Sequence, residues 1–311
     1  MIKKLEHDQL SGDLATVTSM LKAMPEDDIL GRMGFEARRD ELASSLHDLE
    51  SYPETHAAAA LVFTGDPVMG AHGIRGDFAG GALTRFQDMV AKVLANRQEG
   101  NLGQRGVVPH RDAATLHLTN VVHGSFGLLL EELDDQPQQS LLATELKSAV
   151  DEAARLVSSF ADADDERFAN ALVKSDPRVF DAVADFFKFI RNNGAAFRLV
   201  SSDLDKTFSS PEIAVAAERA QVTHMAEDEE EFVGELQGVL PEAHRFEFRV
   251  SPTDEMIDGA VSSEISSSSL LGLFRHLAGQ RCRARMQVRK IERPGKSPRV
   301  SYLLLNAEVD G

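Results

Sequence analysis

Apolar positions recur along this chain at two different periods. Leu10, Leu14, Val17, Met20, Leu21 and Met24 are spaced as one face of a helix. Pro25 breaks the run, and Glu26-Asp27-Asp28 then suits the positive end of a new helix. A second stripe starts at Ile29, Leu30 and Met33 and continues through Phe35, Leu42, Leu46 and Leu49 at near-heptad spacing, ending before Pro53. The pattern predicts a helical hairpin over residues 1–52. Two short helices rarely bury their own stripe, so this one is expected to pack on the body or to pair with another chain.

Residues 57–135 predict a small α/β sheet domain of ββαββ order. The buried strand is Ala59 to Phe63, followed by a turn at Gly65-Asp66-Pro67 and a glycine-interrupted strand from Val68 to Arg75. Phe78, Ala82, Phe86, Met89, Val90, Val93 and Leu94 then mark a helix. Thr115 to Val122 and Ser125 to Leu133 close the segment as two more strands. Residues 136–220 are expected to be mainly helical and to pack on that sheet, with one short strand at Phe197 to Val200.

From residue 228 to 311 the period becomes two. Phe232 to Leu240, Phe246 to Val250, Met256 to Ile265, Arg281 to Ile291 and Arg299 to Val309 read as five strands. A serine-capped helix lies between the third and the fourth. That is the element order of a small OB-like β-barrel, and the chain as a whole falls in the α+β class.

Charge adds one distinction. The net charge is −17, yet residues 240–311 hold 11 Lys+Arg against 9 Asp+Glu, while the remainder holds 22 against 41. Only the C-terminal segment offers a cationic surface, and a field of the overall sign repels phosphate backbones. The acidic run Glu227 to Glu231 reads as a solvated boundary. On the fourth barrel strand, alternation puts Arg281, Arg283, Arg285 and Arg289 on one side, with Lys290 adding charge beside them. Guanidinium forks spaced two residues apart suit carboxylates or phosphates. The competing reading is a solvated outer face paired with Glu247 and the acidic body. Base stacking is poorly served, because the chain has no Trp and Tyr302 is the one aromatic on the neighbouring strand.

Catalytic signals are weaker. His72, Arg75, Asp77, His110, Arg111, Asp112, His117 and His123 crowd one stretch, and His72, His110 and His123 are the candidates for an acid–base site within residues 65–125. No fixed metal-ligand spacing accompanies them, and no metal or other cofactor is expected. Gly70 to Gly76 precedes a helix and could cradle an anion. Asp203-Leu-Asp205-Lys-Thr207 has the DxDxT form of an aspartyl phosphotransferase motif, but that chemistry needs a parallel sheet around it. A capped helix or an Asx turn competes with it.

The single cysteine, Cys282, is expected to be a buried hydrophobe, and one thiol makes no internal disulfide or Cys-based zinc site. No run of 18 apolar residues is present, so no membrane partner is expected, and the polar opening after Met1-Ile-Lys-Lys points to a cytoplasmic protein. The leading expectation is a non-catalytic interaction or regulatory protein, a subunit of a larger bacterial-type assembly, with a protein partner or a second copy of itself. Nucleic-acid binding by the barrel and a hydrolase-like enzyme with a histidine site are the alternatives.

Overall fold

The computed structural model describes residues 2–25, 27–51, 53–100, 102–103, 106–122, 126–133, 142–262 and 264–310. Among them are eight α-helices and two sheets, an α+β architecture. The chain forms two compact units. The first comprises Met1–Leu94, His110–Ser158 and Phe189–Ile213; the second comprises Ala95–Pro109, Ser159–Lys188 and Ala214–Gly311.

The first unit opens with the expected hairpin, α1 (Lys3–Ala23) and α2 (Ile29–Ser51). Asp28 accepts a hydrogen bond from the Gly31 amide and so caps α2. Arg32 donates to the carbonyls of Leu21 and Met24, which satisfies orphan acceptors at the end of α1. Leu21 and Leu42 are buried, whereas Leu10, Leu14, Val17, Met24, Phe35, Leu46 and Leu49 are only half-buried.

The sheet of this unit has five antiparallel strands, β1 (Ala58–Gly65), β2 (His117–Val122), β3 (Phe126–Glu131), β4 (Ala195–Val200) and β5 (Asp205–Phe208), in the order β2-β3-β1-β4-β5. Phe63, opposite Phe197 in the ladder, packs edge-on against Phe78 of α3 (Gly76–Glu99) at 5.1 Å. On the other face, Ala60, Leu129 and Val200 meet Ile2, with Leu5 against them, so the start of α1 seals that side. Two strand predictions shift. Val68 to Arg75 contributes a single bridge, Val68 to Ile74, rather than a strand. β5 forms where the sequence suggests a capped helix or turn; it pairs with β4, and Phe208 stacks on Phe197 at 4.6 Å. Most of α4 (Glu145–Phe160), up to Ser158, also belongs to this unit and carries the stripe Leu146, Ala149, Val150, Ala153 and Val157, all buried.

In the second unit α5 (Asp165–Lys174), α6 (Pro177–Asn192) and α7 (Ser210–Val222) accompany the barrel. Phe160 gathers Phe168, Phe180 and Phe187 around it. The barrel strands are β6 (His224–Leu240), β7 (Arg245–Val250), β8 (Glu255–Val261), β9 (Arg281–Glu292) and β10 (Arg299–Val309), with α8 (Ser267–Leu277) between β8 and β9. They close in the order β10-β8-β7-β6-β9. The ladder between β10 and β8 is parallel and the others are antiparallel. Five strands closed in this order, with one helix after the third, meet the expectation of an OB-like barrel. Leu236, Phe246, Phe248, Ile257, Met286 and Leu304 fill its centre with Leu270 and Leu277 of α8, and Ser266 caps α8 by accepting from the Ser269 amide. Cys282 lies in this core as expected, and its burial pushes the thiol pKa up.

Candidate functional site on the barrel

The acidic run predicted to be a solvated boundary is instead the first half of β6. It lies antiparallel to the arginine strand, with Glu227 opposite Arg289, Glu231 opposite Arg285 and Glu235 opposite Arg281. Propensity alone disfavours five consecutive acids in a strand. Here the adjacent basic strand provides cross-strand charge pairs that offset the disfavour.

Two kinds of charge pair result. Arg281 and Arg283 reach Asp310 at 3.0 and 3.1 Å, Arg283 also approaches Glu231 at 3.7 Å, and Arg285 lies 4.0 Å from Glu229. Lys290 binds Glu230 at 2.7 Å. These basic side chains remain about half exposed, and such pairs are worth about 0–1 kcal/mol each. Arg289 differs. Its Nε donates to Glu227 at 2.6 Å and its NH1 to the Val173 carbonyl at 3.1 Å, while Gln287 donates to the other Glu227 oxygen. Glu227 and Gln287 are buried. Of the five predicted binding residues, the barrel therefore leaves Arg281, Arg283, Arg285 and Lys290 on the surface and ties Arg289 into a covered network.

A cleft of about 580 Å³ opens beside that network. Its walls include Gly259 and Ala260 of β8, Ser301, Tyr302 and Leu303 of β10, and His244 at the β6–β7 turn. Only two register pairs join β8 to β10, Leu303 to Ala260 and Leu304 to Val261, which leaves the seam short. The charges in the cleft cancel: Glu227 holds Arg289, and Asp258 holds Arg245. It is a feature of shape rather than of field.

The predicted histidine site does not assemble among the described residues. His72 is exposed on the turn inside the Val68–Ile74 bridge. His110 is exposed, with φ at +52°, at the start of a short 3-10 helix, Arg111–Ala114. His123 and Ser125 lie outside the described residues. Arg111 pairs with Asp88 at 3.1 Å, and Arg75 with Asp77 and with Asn193. No three His, Cys, Asp or Glu side chains among the described residues gather where a metal ion could sit. At the start of α3, Asp77 accepts from the Arg75 guanidinium at 3.1 Å, which lowers its carboxyl pKa.

The Asp203–Thr207 motif is likewise accounted for. Asp203 pairs with Arg155 at 3.0 Å. Asp205 sits between Arg198, which binds it bidentately at 2.7 and 2.8 Å, and Lys4 at 3.0 Å. The sheet around them is antiparallel. A cluster with no sequence signal adjoins it. Lys147 and Asp151, one turn apart on α4, grip Ser202 at 2.7–2.8 Å and pin the β4–β5 turn to the helix. Lys147 is held in an ion pair with the buried Asp151 at 2.7 Å.

The Arg198 guanidinium, with Lys4, holds the Asp205 carboxyl down at about 2. A carboxyl with a depressed folded pKa adds stability above its unfolded pKa, and that stability disappears as pH falls towards the folded value. The window here runs from about pH 4 down to 2. Asp205→Asn is expected to cost about 1–2 kcal/mol at pH 7, after allowance for the partial exposure of Arg198 and Lys4. It should also flatten the acid dependence inside that window. Urea titrations at pH 7, 4 and 2.5 check both; a variant with wild-type acid sensitivity would show that Asp205 is not the group responsible.

No protein-family model matches the chain, and no curated protein or solved structure is recognisably similar to it. Among the described residues no helix is long and apolar enough to cross a membrane.

Proposed function

We propose that this chain is a non-catalytic interaction or regulatory protein that docks an acidic segment of a partner protein along β9, as a subunit of a larger assembly. The observation that carries this reading is the surface row Arg281, Arg283 and Arg285, extended by Lys290. Their present partners form exposed or rim pairs of small individual worth, so incoming carboxylates can replace them at little cost. The same row suits nucleic acid less well. The strand that bears it carries no aromatic side chain on which bases could stack, a platform that an acidic peptide does not need.

The test is fluorescence anisotropy of two labelled probes, a polyglutamate peptide and a 20-nucleotide oligothymidylate. The peptide is expected to bind with an affinity that falls as salt rises. The triple variant Arg281→Glu, Arg283→Glu, Arg285→Glu should weaken it at least about tenfold, equivalent to ~1.4 kcal/mol. Peptide binding that ignores the triple change overturns the reading, as does no peptide binding at all. Tighter binding of the oligonucleotide would replace it with the nucleic-acid alternative.

A further inference from the structure

We infer that the helical hairpin pairs with the hairpin of a second copy of this chain, independently of what the barrel binds. At its turn the hairpin exposes a cluster of large apolar side chains, with Met20 49%, Ile29 67%, Leu30 85% and Met33 61% exposed. Singly exposed apolar residues are ordinary, but four within one turn of a helical hairpin form a patch. A groove of about 420 Å³ runs along α1 close by, lined by Ser11, Leu14, Ala15, Thr18, Ser19 and Lys22. It is formed mostly of small side chains at i, i+4, i+7 and i+8, the spacing that leaves holes on a helix surface.

One chain thus carries both knobs and holes. Ala15 precedes Met20 by five residues, about 8 Å along the helix axis. A twofold axis crossing near Thr18 sets the apolar tip of each hairpin over the groove of the other, the self-complementary arrangement of an isologous pair. Two further features favour a second copy as the occupant. Asp13 is the only charged residue from Ser11 to Met20, so the groove along α1 carries little charge apart from Lys22 at its end. The seam of the hairpin is also incomplete. Leu10, Leu14, Val17, Phe35, Leu46 and Leu49 are only half-buried, as expected of a two-helix layer that lacks the second layer of a four-helix bundle.

The experiment uses the full chain. Mass photometry and sedimentation equilibrium should show a monomer–dimer equilibrium. Raising salt should tighten it, because each copy carries −17 and screening reduces the repulsion between copies. Leu30→Glu with Met33→Glu removes the knobs, and Ala15→Glu fills the hole; each is expected to weaken the dimer about a hundredfold. All three positions are exposed, so the helical circular dichroism should remain that of the wild type. A cross-linking arm fixes the geometry, since the native Cys282 is buried. Leu30→Cys chains mixed with Ala15→Cys chains should cross-link, and each variant alone should not. A chain that stays monomeric overturns the inference, as does a dimer that tolerates both sets of glutamates. Cross-linking in the single-variant samples that mixing does not increase would also overturn it.

Discussion

Glu227→Ala is expected to cost about 3–5 kcal/mol, because it strands the Arg289 charge in a covered position. With Glu227 gone, Arg289 keeps only the Val173 carbonyl among its described partners in this network, and the Gln287 amide loses its acceptor. The side chain of Arg289 is 18% exposed and lines the cleft, so water replaces the lost carboxylate only in part. Replacing both ends, Glu227→Leu with Arg289→Met, should recover most of the loss, since removing a buried pair entirely leaves no orphan charge. Cutting the exposed pair with Arg283→Ala should cost less than about 1 kcal/mol. The chain has no tryptophan and two tyrosines, so in a Tyr52→Phe background Tyr302 fluorescence reports barrel unfolding in urea. If Glu227→Ala and Arg283→Ala prove equally mild, the covered network contributes nothing special to the barrel.

The same strand pair shows how far the sequence could be read. Alternation along β7 and β9 was legible because period two survives wherever one face meets a core. Phe246 and Phe248 point in, Arg245, Glu247 and Arg249 point out, and Cys282, Ala284 and Met286 alternate with arginines. Reading fails where the ladder slips. The register shift between Leu236 and Gly238 turns Val239 towards the core and leaves Leu240 61% exposed, against the alternation that placed Leu240 with Leu236. A bulge carries almost no local signal, because it is set by how neighbouring strands meet.

Charge runs fail for a similar reason. Glu227 to Glu231 reads as solvated when taken alone, yet an arginine strand more than fifty residues later makes it a strand. The fate of Arg289 depends on Val173, over a hundred residues away, and nothing near Arg289 in sequence separates it from Arg285. β5 escaped for want of length; four residues become a strand because Arg198 and Phe197 on β4 provide partners for Asp205 and Phe208. The two helices of the hairpin were legible, since their stripe and the break at Pro25 are set by residues close in sequence. Its exposed turn was not, because Met20, Ile29, Leu30 and Met33 belong to the same apolar pattern as the residues that pack.

Gly234→Ala is expected to lose about 3 kcal/mol or more, at the upper end of overpacking costs. A Cβ at Gly234 would lie 1.9 Å from the Arg249 carbonyl oxygen and 2.8 Å from the Phe248 ring. Main chain cannot swing aside as a side chain does, so β7 must move away from β6 and drag the buried Phe248 with it. Gly259 makes the matching approach at the seam of β8 and β10, where a Cβ would collide with the Tyr302 carbonyl oxygen. The two glycines let strands cross more closely than any side chain allows, which suits tight closure of a five-stranded barrel. Gly238, on the same strand as Gly234, is the control. The nearest atom to its added Cβ is a Glu247 carboxylate oxygen at 3.6 Å, an ordinary contact. Gly238→Ala should therefore stay within about 0.5 kcal/mol of the wild type, with a small gain from the reduced freedom of the unfolded chain. Urea midpoints followed by Tyr302 fluorescence separate the two. Equal midpoints for Gly234→Ala and Gly238→Ala would mean that close approach of β6 and β7 is not what requires glycine, and that the barrel closes by some other accommodation.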